Sequence, residues 1–315
     1  MIDSEAEREA NARAPHWSQL KEGGSVLGIR ALLFVHRVGG ALLFRLFLFP
    51  VICFYVIFRR HSYRASRFYL ERLHEFSGAV PRPRFWHVFA HFWSFGIALM
   101  DKLSVWTGKI TLADVVLHNQ RLMEQLLAEG KGGVILISHL GNFEICQALS
   151  QGLPDFRLTV LHHTKHAVKF NTVLNPHKGA SSIAVHQVTE LDMGVAMQLG
   201  EKVGAGQFLA LSGDRVAIDN PASSIEASFL GRAAPFPSGP FILARVLQAP
   251  IVTAFCIKEA GRYNIYFELL WEGGAVKRAE RNALIPELIR KYAGRLEYYC
   301  QKAPLQWYNF YSFWH

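Results

Sequence analysis

A histidine and a carboxylate five residues apart follow an apolar run in the middle of the chain. His139 comes directly after the stretch VILIS, and Glu144 lies in the helix-like stretch NFEICQALSQGL. Gly141 and Asn142 stand between them, and Asn142 is a favourable residue for starting a helix. Ligands of open α/β sheets bind beyond the carboxyl ends of the strands. The spacing therefore predicts an imidazole and a carboxylate on a ligand-binding rim.

This pair of side chains predicts general base chemistry. A carboxylate bonded to one ring nitrogen would fix the tautomer of His139 and stabilise its cation, leaving the other nitrogen to take a proton from an attacking hydroxyl or amine. The start of the next helix would offer backbone N–H groups to a developing oxyanion. We expect His139 and Glu144 to be catalytic and Gly141 and Asn142 to contact substrate. The alternative is a buried histidine and a helix-capping glutamate.

A second cluster follows another apolar run, in the stretch LALSGDRV. Asp214 and Arg215 should lie on the same rim as His139, because both apolar runs predict strands of one sheet. A guanidinium there can bind a phosphate or phosphopantetheine group through bidentate hydrogen bonds. The alternative is an Asp–Arg pair in a surface turn.

Other kinds of site are less well supported. The chain has no G-x-S-x-G motif, so neither Ser212 nor Ser238 is expected to be a nucleophile. Glycines of GEKVGAGQ follow a helix rather than a strand, which argues against a nucleotide-binding loop. Histidines that lie close together in sequence lack acidic neighbours, so we expect no metal site and no cofactor. These histidines are His87, His91, His162, His163 and His166.

Composition points toward a lipid surface. Half of the 315 residues are hydrophobic and the net charge is +9. Residues 24–100 contain ten arginines and two glutamates, so most of the excess positive charge lies in this strongly hydrophobic segment. This combination favours anionic lipid over nucleic acid as a partner. The four cysteines form no CxxC pair, which is typical of buried thiols in a reducing compartment; they are Cys53, Cys146, Cys256 and Cys300.

The greasiest part of the chain predicts an N-terminal membrane-anchoring helix. Residues 46–58 are continuously apolar, and residues 38–44 extend the run to about the thickness of a bilayer, with Arg45 as the interruption. Arginines follow at its end, and Pro50 predicts a kink. The helix either spans the membrane or lies in its interface. The alternative is a buried helix of a soluble core.

The rest of the chain predicts an α/β fold with a mostly parallel sheet flanked by helices. Residues 62–106 are expected to be helical, and from residue 110 apolar runs alternate with helix-like stretches. We divide the chain into a membrane-associated region, 1–109, and an α/β domain, 110–315, which together form one structural unit. The stretch after FLAL, rich in glycine and proline, is expected to be irregular. The last helix is expected at 281–302.

The motifs resemble a known family. SHLGNFE resembles the H-x4-D/E motif of the lysophospholipid acyltransferase superfamily, and His139 and Glu144 match its catalytic dyad. The basic N-terminus, GDRV and FLGRAAPFPSGPFILARVLQAPIV resemble its lipid A biosynthesis branch, over roughly residues 20 to 310. Residues that match the later substrate-binding blocks of the family more loosely are Asp214, Arg215, Gly231, Ser238 and Gly239.

This resemblance implies transfer of a fatty acyl chain from acyl carrier protein or acyl-CoA to a hydroxyl of a lipid or glycolipid. It also implies a location on the cytoplasmic face of a bacterial inner membrane. The stretches HHTKHAVKFN and PLQWYNFYSFW depart from the family pattern, which leaves lipid A, another glycolipid and a polyene-type lipid open as acceptors. A lipid hydrolase and a non-catalytic lipid-binding module remain alternatives.

Overall fold

The structure is a computed structural model that describes residues 26–106, 108–145, 156–162, 183–187, 193–216 and 223–314. Its strands are β1 (Val115–His118), β2 (Gly133–Ile137), β3 (Leu158–His162), β4 (Ile183–Gln187), β5 (Phe208–Ser212), β6 (Ser224–Phe229), β7 (Arg232–Pro237), β8 (Ile251–Glu259) and β9 (Arg262–Trp271). Its helices are α1 (Val26–Phe58), α2 (Arg60–Ser77), α3 (Phe85–Trp106), α4 (Gln120–Ala128), α5 (Met193–Gly204), α6 (Gly239–Val246) and α7 (Arg281–Lys302).

The predicted α/β class is confirmed. Seven of the described strands form one sheet in the order β1-β9-β8-β2-β5-β3-β4. The neighbours β8 and β9 are antiparallel, and the other neighbouring pairs are parallel. Every residue of β2 is buried, as expected for a central strand that is covered on both faces. Each apolar run that predicted a strand forms one, and α7 has the predicted bounds.

The two faces of the sheet contact different helices, as the two-residue period of a strand requires. Leu136 belongs to the core cluster that includes Leu288 of α7. Ile135 belongs to the cluster that includes Met123 and Leu126 of α4. The central strands are thereby held from both sides, which makes their carboxyl ends a rigid platform.

Two elements in the α/β part were missed. Strand β1 pairs with the edge strand β9, although its sequence VVLH is too short to signal a strand. The stretch that was expected to be irregular contains a hairpin of β6 and β7. Its two turn residues, Leu230 and Gly231, both have positive φ, at 48° and 76°. Such a turn matches the twist of a hairpin, but leucine is an unusual residue in it.

The N-terminal helices differ from the prediction in where they break. Helix α1 is interrupted at Gly40, which has a φ of 64°, and Pro50 lies inside its second half. The backbone break is at Gly40 because glycine adopts the left-handed backbone at little cost, and the predicted kink at Pro50 stays a prediction. The expected helical region 62–106 is divided between α2 and α3, which a segment containing two prolines separates.

No single helix among the described residues is long and apolar enough to cross a membrane. The helices Leu42–Phe58 and Arg60–Ser77 reach that length and apolar composition only as a pair, and they meet at 90°.

One side of the helix Leu42–Phe58 belongs to the protein core. Phe44, Leu48, Ile52 and Val56 recur every four residues and are buried. Gly96 of α3 allows a close approach, since a Cβ there would lie 2.8 Å from the side chain of Leu48. The opposite side exposes large apolar side chains. With the first residues of α3 they form what we call the apolar patch: Leu42, Leu46, Phe47, Phe49, Phe54, Ile57, Phe58, Phe85 and Trp86.

Candidate active site

His139 and Asp214 are brought together at the carboxyl ends of two neighbouring parallel strands. Ile137 of β2 and Ser212 of β5 are partners in the sheet, so the residues two positions further on meet beyond its edge. Nδ1 of His139 lies 2.8 Å from Oδ1 of Asp214, and its backbone N–H donates to Oδ2 at 2.7 Å. The prediction that these two residues share one rim is confirmed by this contact.

The carboxylate of Asp214 is almost fully buried and accepts further hydrogen bonds. The hydroxyl of Ser212 donates to Oδ1 at 2.8 Å, and the indole Nε1–H of Trp307 donates to Oδ2 at 3.0 Å. Burial alone would raise the pKa of Asp214, but the charge and hydrogen bonds of His139, with the charge of Arg215, hold it well below its usual range. Asp214 is therefore ionised at neutral pH.

An ionised carboxylate only accepts hydrogen bonds, so Nδ1 of His139 carries the ring proton in the neutral imidazole. Its Nε2 then has the free lone pair of a base. Burial and the positive charge of Arg215 lower the pKa of His139, while Asp214 and Glu144 partly offset them. The imidazole is thus neutral at neutral pH. Its side chain remains 34% exposed, which leaves room for a substrate to approach.

Glu144 lies in the short 3-10 turn Phe143–Ile145 and forms an ion pair with Lys102 of α3. Its negative charge raises the pKa of His139. The sequence predicted that Glu144 would hold the imidazole ring, and the structure instead places Asp214 on Nδ1. The reason is the sheet order, because β5 lies beside β2 and delivers its carboxylate to the end of that strand.

Gly141 and Asn142 hold the turn between His139 and Glu144. The N–H of Gly141 donates to the carbonyl of Gln306 at 2.8 Å, and that of Asn142 to Cys256 at 2.9 Å. The side chain of Asn142 donates to a carbonyl of α3 at 3.0 Å. A Cβ at Gly141 would lie 1.7 Å from the Cys256 oxygen. Both backbone N–H groups are engaged within the fold, so neither is free for an oxyanion, and substrate contact by Gly141 and Asn142 stays a prediction.

Arg215 lies beside the pair. Its guanidinium stands 5.5 Å from the ring centre of Tyr311, and its positive charge lowers the pKa of His139. The hydroxyl of Tyr311 in turn donates to the backbone carbonyl of Asp214 at 3.5 Å. A cation is therefore held beside the His139–Asp214 pair.

The loosely matched residues Gly231, Ser238 and Gly239 lie in and after the β6–β7 hairpin. Gly231 supplies the positive φ of the turn. Ser238 donates to the carbonyl of Ser223 from its hydroxyl at 2.5 Å and from its backbone at 2.8 Å, which closes the base of the hairpin. Gly239 is the first residue of α6. The contacts of Gly231 and Ser238 support the hairpin itself.

The C-terminal segment 303–314 was not expected at the site. Trp307 contacts Asp214, and the N–H of Tyr308 donates to the carbonyl of His139 at 2.9 Å. Gln306 accepts from Gly141, and Leu140 forms an isolated bridge with Trp307. The only signal in the sequence was the dense aromatic run WYNFYSFW, which says that the segment is buried but not what it covers.

A cavity of about 260 Å³ opens beside the turn that carries His139. Gly141, Asn142 and Tyr308 form part of its wall, together with polar groups of α3 and β8. Among these, Nζ of Lys258 lies 2.7 Å from the Asp101 carboxylate. Polar side chains therefore make up much of the cavity wall, and they include this neutralised charge pair.

The part of the chain that the structure describes contains no group of three His, Cys, Asp or Glu side chains placed to hold a metal. His91 is fully buried, with Nδ1 2.8 Å from the Ser66 hydroxyl and Nε2 2.9 Å from the Trp307 carbonyl. In the second histidine cluster, His163, His166 and the side chain of His162 lie outside the described residues.

Comparison with known proteins gives no further identification. No protein-family model matches the chain, and no curated protein matches it either.

Proposed function

We propose that the chain is a membrane-associated acyltransferase that moves a fatty acyl group from a thioester to a hydroxyl of a lipid or glycolipid acceptor. The observation that carries the proposal is the hydrogen bond between His139 and the ionised, buried Asp214. It leaves Nε2 of a neutral and accessible imidazole as a base. The resemblance of SHLGNFE to the acyltransferase motif supports the choice of reaction.

In the proposed reaction, Nε2 of His139 takes the proton of the acceptor hydroxyl as its oxygen attacks the thioester carbonyl. The carbon–sulfur bond then breaks, and the proton passes from the imidazolium to the leaving thiolate. The products are an ester and a free thiol, without an acyl-enzyme. Asp214 keeps the ring in the required tautomer and stabilises the cation that forms during the reaction.

Arg215 and Glu144 are assigned supporting roles in this proposal. Arg215 binds a phosphate-bearing group of the donor or acceptor, because its charge lies beside the imidazole. Glu144 forms an ion pair with Lys102 and stabilises the imidazolium through its negative charge rather than through a hydrogen bond. The thioester donor is acyl carrier protein or acyl-CoA, as the family resemblance implies.

The apolar patch is proposed to rest in the interfacial layer of a membrane. Its side chains extend from α1 to the start of α3, where Trp86 is 68% exposed. Exposed arginines at both ends of the helix would meet anionic headgroups; they include Arg45, Arg59, Arg60 and Arg64. In this position the enzyme could bind a lipid acceptor that stays in the bilayer. The resemblance implies the cytoplasmic face of a bacterial inner membrane.

The test is product analysis with the purified protein. Acyl carrier protein or acyl-CoA thioesters are incubated with and without a bacterial lipid extract, and the lipids are analysed by mass spectrometry. Acylated lipid that requires both the extract and His139 supports the proposal. Free fatty acid formed at the same rate without acceptor would make the protein a hydrolase. Unchanged thioester under all conditions would favour a lipid-binding module. Lipids from cells with and without the protein then identify the acceptor.

A further inference from the structure

Trp307 and the residue that follows it bond the two members of the His139–Asp214 pair. Its indole Nε1–H donates to Oδ2 of Asp214 at 3.0 Å. Its backbone forms a bridge with Leu140, and the next residue, Tyr308, donates its N–H to the carbonyl of His139 at 2.9 Å. The C-terminal segment is therefore attached to the carboxylate through a side chain and to the histidine through the main chain.

The direction of the indole is fixed by tight packing. Trp307 is fully buried, and the rings of Tyr69, Phe229 and Phe313 stand with their centres 4.9, 5.1 and 5.0 Å away. These three rings come from α2, from the hairpin and from the chain end. A ring that is held edge-on from several sides has little freedom to swing, so its N–H stays aimed at the carboxylate.

His91 holds the main chain of Trp307 from the other side. The Trp307 carbonyl can only accept, so Nε2 of His91 carries the proton and Nδ1 accepts from the Ser66 hydroxyl. Burial lowers the pKa of His91 to about 4, which keeps this ring neutral and the arrangement unchanged at neutral pH. Trp307 is thus tied to α2 and α3, the helices next to the apolar patch.

Each oxygen of Asp214 consequently has its own pair of donors. Oδ1 accepts from the Ser212 hydroxyl and the His139 ring, while Oδ2 accepts from the His139 backbone and the Trp307 indole. Without the indole, Oδ2 would keep only one of these donors, and the carboxylate plane could turn about its bond to Cβ. The ring of His139 would follow, because it is bonded to the other oxygen.

We propose that Trp307 is a positioning residue for the proposed reaction, whose indole N–H fixes the carboxylate that orients His139. This inference rests on the proposed function for its kinetic consequence. It concerns a residue that does not touch the substrate and that no motif in the sequence singles out.

The first test is Trp307→Phe, which keeps an aromatic ring and removes the donor. Trp314→Phe is the matched control, because Trp314 belongs to the same aromatic cluster and donates its indole N–H to the carbonyl of Phe229 at 3.2 Å. A lost hydrogen bond to a charged group predicts that kcat falls about 10-fold in Trp307→Phe while KM stays within about twofold. An equal effect in both variants would overturn the proposal.

The second test needs no substrate, so its failure can be told apart from failure of the proposed function. Nitrogen-15 spectra of the imidazole report its tautomer and its titration in the full chain. The charged and titratable groups that act on His139 are Asp214, Arg215 and Glu144. With Oδ2 less restrained, the carboxylate holds the Nδ1–H of His139 less firmly, so the fraction of imidazole protonated at Nδ1 at neutral pH should fall in Trp307→Phe. A tautomer ratio identical to that of wild type and of Trp314→Phe would overturn the proposal.

The unaltered protein provides a third reading if Trp307→Phe does not fold. The indole N–H resonance of Trp307 should shift with the same midpoint as the His139 ring, because both are bonded to one carboxylate. The Trp314 indole should not follow that titration. A Trp307 resonance that is insensitive to the protonation of His139 would show that the indole does not sense the pair, and would overturn the inference.

Discussion

Asp214 accepts two hydrogen bonds from His139, one from the ring and one from the backbone, although the residues are 75 positions apart in the chain. The contact is a consequence of sheet order, since the residues follow strands that are parallel neighbours. Two bonds to one residue fix both the distance and the plane of the imidazole. This arrangement sets the tautomer before any substrate arrives, which is the condition for an efficient base.

Asp214→Asn should lower transfer about 10²–10⁴-fold, because the amide no longer requires a proton on Nδ1 and no longer stabilises the imidazolium. His139→Ala should cause a loss of the same order. The double variant should be little worse than either, because groups that act as a unit are not additive. Initial rates of acyl transfer measure this, with circular dichroism to confirm folding.

Asp114→Asn is the control for the aspartate substitution, because Asp114 is exposed and caps the short 3-10 turn Leu112–Asp114. It should leave the rate near that of wild type. Near-normal transfer by folded Asp214→Asn would remove Asp214 from the mechanism, and multiplicative losses in the double variant would mean that the two residues act separately.

Glu144→Gln should have a smaller effect than Asp214→Asn, because its carboxylate acts on His139 through charge. The loss of this negative charge should lower the pKa of His139 and weaken stabilisation of its cation, reducing transfer about 10-fold. Lys102→Met removes the ion-pair partner and should raise the pKa of His139 instead. A rate loss for Glu144→Gln as large as that for His139→Ala would restore Glu144 as the principal partner of the base.

Arg215 should affect both binding and the pH profile. Transfer requires neutral His139, so the rate should fall as the pH drops through the pKa of His139, which Arg215 helps to lower below its ordinary value of 6.5. In Arg215→Gln this pKa should rise, which moves the acid limb of the profile toward neutral pH. KM for the phosphate-bearing substrate should rise as well. An unchanged acid limb and an unchanged KM for donor and acceptor would separate Arg215 from the site.

The sequence was sufficient for six of the seven described strands of the sheet and for the rim of the site. Apolar runs predicted the central strands, and His139 and Asp214 were expected to be close because each follows such a run. It was not sufficient to choose between Glu144 and Asp214 as the partner of the imidazole. That choice depends on which strands are adjacent, and strand order is a property of long-range packing rather than of local pattern.

The features that the sequence did not predict also depend on long-range packing. Gly141 has a φ of 73°, and a Cβ there would lie 1.7 Å from the backbone oxygen of Cys256, a constraint that arises only because β8 lies beside the turn. Trp307 reaches Asp214 because α7 ends near the rim, which no local periodicity records. The β6–β7 hairpin was hidden because Leu230 occupies a turn position that normally favours asparagine or glycine.

Membrane binding should depend on the exposed side of α1. Phe54→Ser with Phe58→Ser removes two large apolar groups that are 50% and 67% exposed, so binding to vesicles should weaken without loss of fold. Val246→Ser is the matched control, because Val246 is equally exposed but lies on α6. Co-sedimentation with anionic vesicles measures the effect. Equal binding by all three proteins would mean that the apolar patch does not contact lipid.

Salt and lipid charge test the arginines separately. Each basic residue near an anionic surface contributes about 1 kcal/mol, so replacing Arg59 and Arg60 with glutamine should weaken binding to anionic vesicles more than to neutral ones. High salt should remove this difference while the apolar contribution remains. Binding that is the same on both kinds of vesicle in the wild-type protein would contradict the electrostatic part of the proposal.

His91 should make the fold sensitive to acid. Its pKa lies at about 4 in the folded protein against 6.5 for an ordinary histidine, so the unfolded chain binds more protons between these values. Stability is therefore fully present above pH 6.5 and is lost as the pH falls toward 4, by an amount on the order of 3 kcal/mol. The His91→Gln variant cannot be protonated at this position. Its free energy of unfolding in denaturant should be lower than that of wild type at pH 7, but it should fall less between pH 6.5 and pH 4. An acid dependence in that window as steep as that of the wild type would show that another group unfolds the protein. The His91 ring also donates to the Trp307 carbonyl. His91→Gln should therefore shift the midpoint of the His139 titration in the full chain, which would link α2 and α3 to the base.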